Sequence, residues 1–218
     1  MQLKAIIFDF GGVLCFHPLE QQIQELADLC RLSRERFLEV YWGRRAAYDR
    51  ADLTPDEYWE AVGQAAGVRY TPDEVAEFRR RDVQFWVRLD ERMMNWARRV
   101  RAAGYRTALL SNLPMDLGEH LRNGMNLVSN FDHHSFSYEL RSAKPDAAIY
   151  HDAVRGLGVE TAEAIFIDDR PENIEGARAV GLHAIQFESP ERLSQSLEKL
   201  ANRSGGFVPL GAPPVILE

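Results

Sequence analysis

Cysteine is scarce in this chain: Cys15 and Cys30 are the only two, and they have neither CxxC spacing nor a histidine cluster nearby. This argues against a zinc site and against a disulfide framework, and it makes reduced thiols in a cytoplasmic protein the expectation. Positive charge is not in excess either, since 26 Lys and Arg stand against 33 Asp and Glu for a net charge of −7. The basic clusters Arg79, Arg80, Arg81 and Arg98, Arg99, Arg101 sit among acids, so they read as solvated helix faces, and no nucleic-acid partner is expected. Long apolar runs are missing as well. No window approaches the roughly 18 apolar residues of a membrane span, so no membrane partner is expected. Asp9 interrupts the stretch 3–16 that otherwise resembles a signal-peptide core, and no small-residue cleavage pattern follows it. No internal repeat is present.

What is present is an ordinary globular composition, 45% hydrophobic and 27% charged over 218 residues, the size of one large domain or of a core carrying an insertion. LKAIIFD (3–9) is apolar almost throughout and too short for a buried helix, which is how a strand covered on both faces of a parallel sheet reads. Similar runs recur at 105–111, 164–169 and 182–187, each after a helical pattern, with a weaker strand at 131–137. This alternation predicts an α/β fold, a Rossmann-like doubly wound parallel sheet.

From about Pro18 to Arg88 no buried-strand run occurs. Thr54-Pro55-Asp56-Glu57 and Thr71-Pro72-Asp73-Glu74 each offer an N-cap threonine, proline at the first helical position and a capping-box glutamate. So much helix between the first two strands exceeds a simple crossover and predicts an inserted all-helical cap. The expected organisation is a core of 1–16 and 89–202, a cap of 17–88, and an extended Gly- and Pro-rich tail of 203–218.

In a doubly wound sheet, ligands sit beyond the carboxyl ends of the strands. Those ends carry Asp9, then Ser111 and Asn112, then Asp168 and Asp169. A single aspartate there is more often a helix cap or a solvated turn. Three converging carboxylates repel one another unless a divalent cation neutralises them, and oxygen ligands without His or Cys suit Mg²⁺. Lys144 in SAKPDAAIY adds an ammonium beside an expected helix start, and either group can bind an anion. In the cap, YWGRRAAYDR (41–50) offers two readings. It either presents aromatic and anion-binding groups such as Arg45 to the core, or buries Trp42 and leaves its arginines in solvent. Trp59 and Trp86 read as cap core.

Asp9 in FDFGGV, Ser111 and Asn112 in LLSN, Lys144 before proline, and IFIDDRPENIEGA (165–177), in that order, resemble the haloacid dehalogenase-like hydrolase superfamily. The likeness spans Met1 to about Phe187. Members with a helical cap after the first motif look most similar, among them the phosphatase domain of soluble epoxide hydrolases and sugar-phosphate phosphatases. The resemblance implies that Asp9 is the nucleophile of a Mg²⁺-dependent phosphatase and forms an aspartyl-phosphate. It implies that Ser111, Asn112 and Lys144 bind the phosphoryl group. Asp9, Asp168, Asp169 and the Gly11 carbonyl would hold Mg²⁺, with Asn173 supporting the acidic loop.

The sequence departs from the pattern at Gly11, where most such phosphatases carry an acid/base aspartate. Leaving groups that need little protonation, or a substitute proton carrier such as His17, would account for a working enzyme. On this reading Gly11→Asp raises turnover of alkyl phosphates most. The rivals are a metal-free 2-haloacid dehalogenase, which also uses an aspartate nucleophile, and a non-catalytic phosphometabolite-binding protein. A receiver-type phosphoacceptor is disfavoured, because there the acidic pair precedes the acceptor. The expected partner is a small-molecule phosphate ester, and the expected state is a monomer or homodimer.

Overall fold

The computed structural model describes residues 3–204. The chain runs β1 (Ala5–Phe8), then helices α1 (Glu20–Leu29), α2 (Arg34–Gly43), α3 (Arg45–Asp49), α4 (Pro55–Ala66) and α5 (Pro72–Gln84). It continues through α6 (Glu91–Ala102), β2 (Arg106–Ser111), α7 (Met115–Glu119), β3 (His133–Phe136), α8 (Ser137–Leu140) and α9 (Ala147–Leu157). The last elements are β4 (Ala164–Asp168), α10 (Pro171–Ala179), β5 (His183–Gln186) and α11 (Pro190–Ser204). The extended end expected from Arg203 begins inside α11, and beyond Ser204 it lies outside the described residues.

The strands form one parallel sheet in the order β3-β2-β1-β4-β5. Side chains alternate along a strand, so β1 feeds two cores. Ile6 and Phe8 join α6, α7 and α11 through Met93, Trp96, Leu117 and Leu193. Ala5 and Ile7 face α9 and α10 through Ile149, Tyr150, Ile174 and Ala177. Burial on both faces explains why β1, β2 and β4 read as apolar runs, while the half-buried edge strands β3 and β5 read more weakly. Among the described residues, no helix is long and apolar enough to cross a membrane.

Helices α1–α5 lie between β1 and α6 and share a separate hydrophobic cluster that includes Leu26, Phe37, Tyr41, Tyr58, Trp59 and Phe78. Both TPDE motifs cap as expected. The Thr54 and Thr71 hydroxyls accept from the Glu57 and Glu74 amides, and those glutamates accept in return from the threonine amides. An N-cap of this kind stabilises a helix by about 1 kcal/mol.

Two segments join this cap to the core, and they pair with each other. Phe16 N–H donates to Arg88 O at 2.9 Å and Asp90 N–H to Leu14 O at 2.9 Å, on either side of an antiparallel Cys15–Leu89 bridge. The cap also meets the core directly: Arg79 grips Asp116 in α7 with two bonds of 2.7 Å, and the Ser137 hydroxyl donates to Asp49 O at 2.5 Å.

The segment 41–50 folds as neither sequence reading expects. Trp42 is half exposed, whereas Arg45 is only 5% exposed. The Arg45 guanidinium donates to Asp49 at 2.7 Å, to both carboxylate oxygens of Asp82 at 2.9 and 3.1 Å, and to the Tyr41 hydroxyl. Arg45 therefore does not offer an anion-binding group to the core; its donors are consumed inside the cap.

Burial pushes the Asp49 carboxyl up to about 6, although Arg45 pulls the other way. A carboxyl raised in the folded state contributes stability that is complete below the unfolded value near 4 and is lost as pH climbs through about 6. Asp49→Asn is accordingly expected to flatten the fall in urea-unfolding stability across that window. An unchanged slope would show that Asp49 ionises normally.

Candidate active site

Asp9 follows β1 directly, its amide bonded to Ile167 O of β4 at 2.9 Å. Ser111 ends β2, Asp168 ends β4 and Asp169 comes next, so adjacent parallel strands deliver these groups to one edge of the sheet. The Lys144 ammonium lies between them. It stands 2.7 Å from Asp9 Oδ1, 2.7 Å from Asp168 Oδ2 and 3.2 Å from the Leu110 carbonyl, which uses all three of its donors.

Asp9, Asp168 and Asp169 each bring a carboxylate oxygen within 4.8 Å of the others. Three carboxylates thus face one ammonium, a cluster two charges short of neutral. Burial pushes the Asp9 carboxyl up to about 7; Lys144 counters this, while Asp168 and Asp169 add to it. Burial also opposes the charge on Lys144, but Asp168 and Asp9 outweigh it and hold the ammonium protonated. The donor set is all oxygen and its charge deficit is that of one divalent cation, so the residues present fit Mg²⁺.

Asn173 donates to Asp168 Oδ1 at 2.9 Å and to Oδ2 at 3.0 Å, and the Arg170 amide adds a bond of 2.8 Å. The Tyr150 hydroxyl in turn donates to the Asn173 carbonyl at 2.8 Å. Tyr150 went unnoticed in the sequence, since nothing distinguishes it from any aromatic on the buried face of a helix. With Asp168 fully buried and so engaged, Asp169 is the more open carboxylate, and His17 Nε2 reaches it at 3.2 Å. That contact raises the His17 imidazole above its ordinary value, against the effect of burial.

Two expectations need correction. Asn112 does not extend its carboxamide toward a substrate. Its Oδ1 accepts from the Lys144 amide at 2.8 Å and its Nδ2 donates to the Lys144 carbonyl at 2.9 Å, so it anchors the lysine's backbone. Pro145 does not open a helix at Lys144 either: α9 begins at Ala147, after a cis Lys144–Pro145 peptide. Ser111 is buried at the end of β2, beside this lysine's anchor.

The loop after Asp9 needs its glycines for different reasons. Gly12 has φ +77° and lies under Asp169 and His17, so a side chain there would be strained and would collide. Gly11 has no positive φ; instead it lies beneath the Trp86 indole.

A family model described as haloacid dehalogenase-like hydrolase matches residues 3–181. The chain belongs to that family. Among curated relatives, this haloacid dehalogenase-like hydrolase is 28% identical over 180 residues to sesquiterpene phosphatase astK of Aspergillus oryzae, covering 82% of this chain and 87% of that one. It is 26% identical over 208 residues to D-ribitol-5-phosphate phosphatase of Bacteroides thetaiotaomicron, covering 92% and 99%. Among solved structures, the magnesium complex of a HAD family enzyme from Bacteroides thetaiotaomicron superimposes with a TM-score of 0.74 at 21% identity, covering 90% of this hydrolase and 98% of that chain. That likeness is one of fold.

Proposed function

We propose that this hydrolase is a Mg²⁺-dependent phosphatase that cleaves a small phosphate monoester through an aspartyl-phosphate on Asp9. The observation that carries the reading is the Lys144 ammonium, 2.7 Å from both Asp9 and Asp168, in an acidic cluster whose remaining charge one divalent cation would balance. The phosphatases among its relatives support it.

An Asp9 oxygen attacks phosphorus, and the departing ester oxygen keeps the electron pair of the broken bond. Lys144 and the Ser111 hydroxyl face the phosphoryl oxygens and offset their charge, and water then attacks phospho-Asp9 and releases phosphate. Asp9, Asp168, Asp169 and the Gly11 carbonyl would hold Mg²⁺, which supplies positive charge at the transferring group. A metal-free 2-haloacid dehalogenase would need to draw an anionic acid into three carboxylates against one ammonium, which repels it.

The test is phosphate release from a panel of esters with Mg²⁺, after EDTA, and after Mg²⁺ is restored. Activity lost to the chelator and recovered with the metal is the expected result. Release indifferent to EDTA would overturn the metal assignment, and absence of release from every ester would overturn the phosphatase.

A further inference from the structure

A Cβ on Gly11 would stand 3.0 Å from Cζ3 of Trp86, tighter than side-chain carbons ordinarily pack, and 3.4 Å from Cε3. Gly11 has no positive φ, so what crowds a side chain at this position is the indole, which would have to give by a few tenths of an ångström to admit one. Trp86 is held from two sides, packing against both the hydrophobic core beneath the sheet and that of the cap. The His17 ring meets it edge-on at 6.3 Å. The indole is no substitute acid. Its Nε1 is buried and donates to nothing among the described residues, and an indole N–H does not ionise near neutral pH.

The other proton-bearing groups around Asp9 have fixed duties. Lys144 spends its three donors on Asp9, Asp168 and Leu110. The Asn112 and Asn173 amides are bonded to Lys144 and Asp168, and His17 is turned to Asp169.

We infer that Trp86 is a specificity-determining residue: by filling the space above Gly11 it keeps any acid from the nucleophile's flank and confines the hydrolase to esters whose leaving group departs as a stable anion. Phenolic, anomeric and acyl phosphates have that chemistry, and simple alkyl phosphates do not. The inference rests on the phosphatase reading of Asp9. In the step concerned, the bond from Asp9 Oδ to phosphorus forms as the ester P–O bond breaks. The ester oxygen leaves with both electrons and takes its proton from bulk water afterwards.

The experiment is kcat/KM for a series running from 4-nitrophenyl through phenyl to an alkyl phosphate of similar size. Without an acid, the wild type should fall by roughly 10²- to 10⁴-fold across the series, the usual worth of general acid catalysis. Gly11→Asp alone, with the indole in place, should not rescue the alkyl ester, an outcome opposite to the one the sequence leads one to expect. Gly11→Asp combined with Trp86→Ala should raise alkyl turnover at least about tenfold and make the series shallower. Trp86→Phe keeps a ring over Gly11 and should keep the wild-type steepness, so the test survives if the double variant does not fold. Phosphate release with no dependence on the leaving group, or full rescue by Gly11→Asp alone, would overturn the role of Trp86 and leave the phosphatase standing. No release even from 4-nitrophenyl phosphate would overturn both.

Discussion

Asp9→Asn should lower phosphate release by on the order of 10⁴- to 10⁶-fold, the scale on which hydrolases lose turnover with their nucleophile, and should leave the protein folded. The carboxamide matches the carboxylate in shape, so β1 and its amide bond to Ile167 O remain. It is a poor nucleophile toward phosphorus. Its neutrality has opposing effects on the fold: the Lys144 contact weakens, while the repulsion from Asp168 and Asp169 that helps push Asp9 up to about 7 disappears. Stability should therefore change far less than activity. Parallel measurements of phosphate release and urea midpoint separate the two, and activity within tenfold of wild type would remove Asp9 from the chemistry.

The largest effect on stability is expected at Arg45. Arg45→Met leaves Asp49 and Asp82 buried with their shared cation gone, and breaking such a pair costs roughly 3–5 kcal/mol. Asp82 keeps the Tyr41 hydroxyl as a donor, which relieves part of that loss. Replacing all three charges together with Met and Leu should recover most of the stability, because it removes the buried carboxylates as well as their partner. Urea unfolding of the single and triple variants provides the measurement. A small loss of stability accompanied by a large rise in KM would instead make Arg45 the anion-binding group that its sequence context suggests.

The difference between Arg45 and Lys144 shows what was legible before the structure. Asp9, Ser111, Asp168 and Asp169 were expected together because topology sends strand ends to one place, whereas Asn173 was legible only through the family resemblance and Lys144 only as an ammonium before a proline. The central strands β1, β2 and β4 were legible because burial on both faces leaves them apolar, and α4 and α5 of the cap because the TPDE motifs mark their starts. Arg45 and Asn112 were misread for one reason. A helix or loop residue shows its type in the sequence, but its partner lies on an element distant along the chain. Asp82 is 37 residues from Arg45, and Lys144 is 32 from Asn112. Trp86 was read as cap core, whereas it packs against both cores and covers Gly11. The empty position at Gly11 was visible as a missing carboxylate, but the indole that occupies its space was not.

The paired segments at Cys15 and Leu89 form a short two-stranded ribbon tied by two cross-strand bonds, the only backbone path between cap and core. Trp86 precedes that ribbon by only a few residues on the cap side, with its amide bonded to Val83 O at 3.0 Å. The indole packs against the cap cluster and the core cluster together, so any separation of cap from core would also uncover Gly11. Entry to the edge of the sheet and access of solvent to the loop after Asp9 would then share a single coordinate.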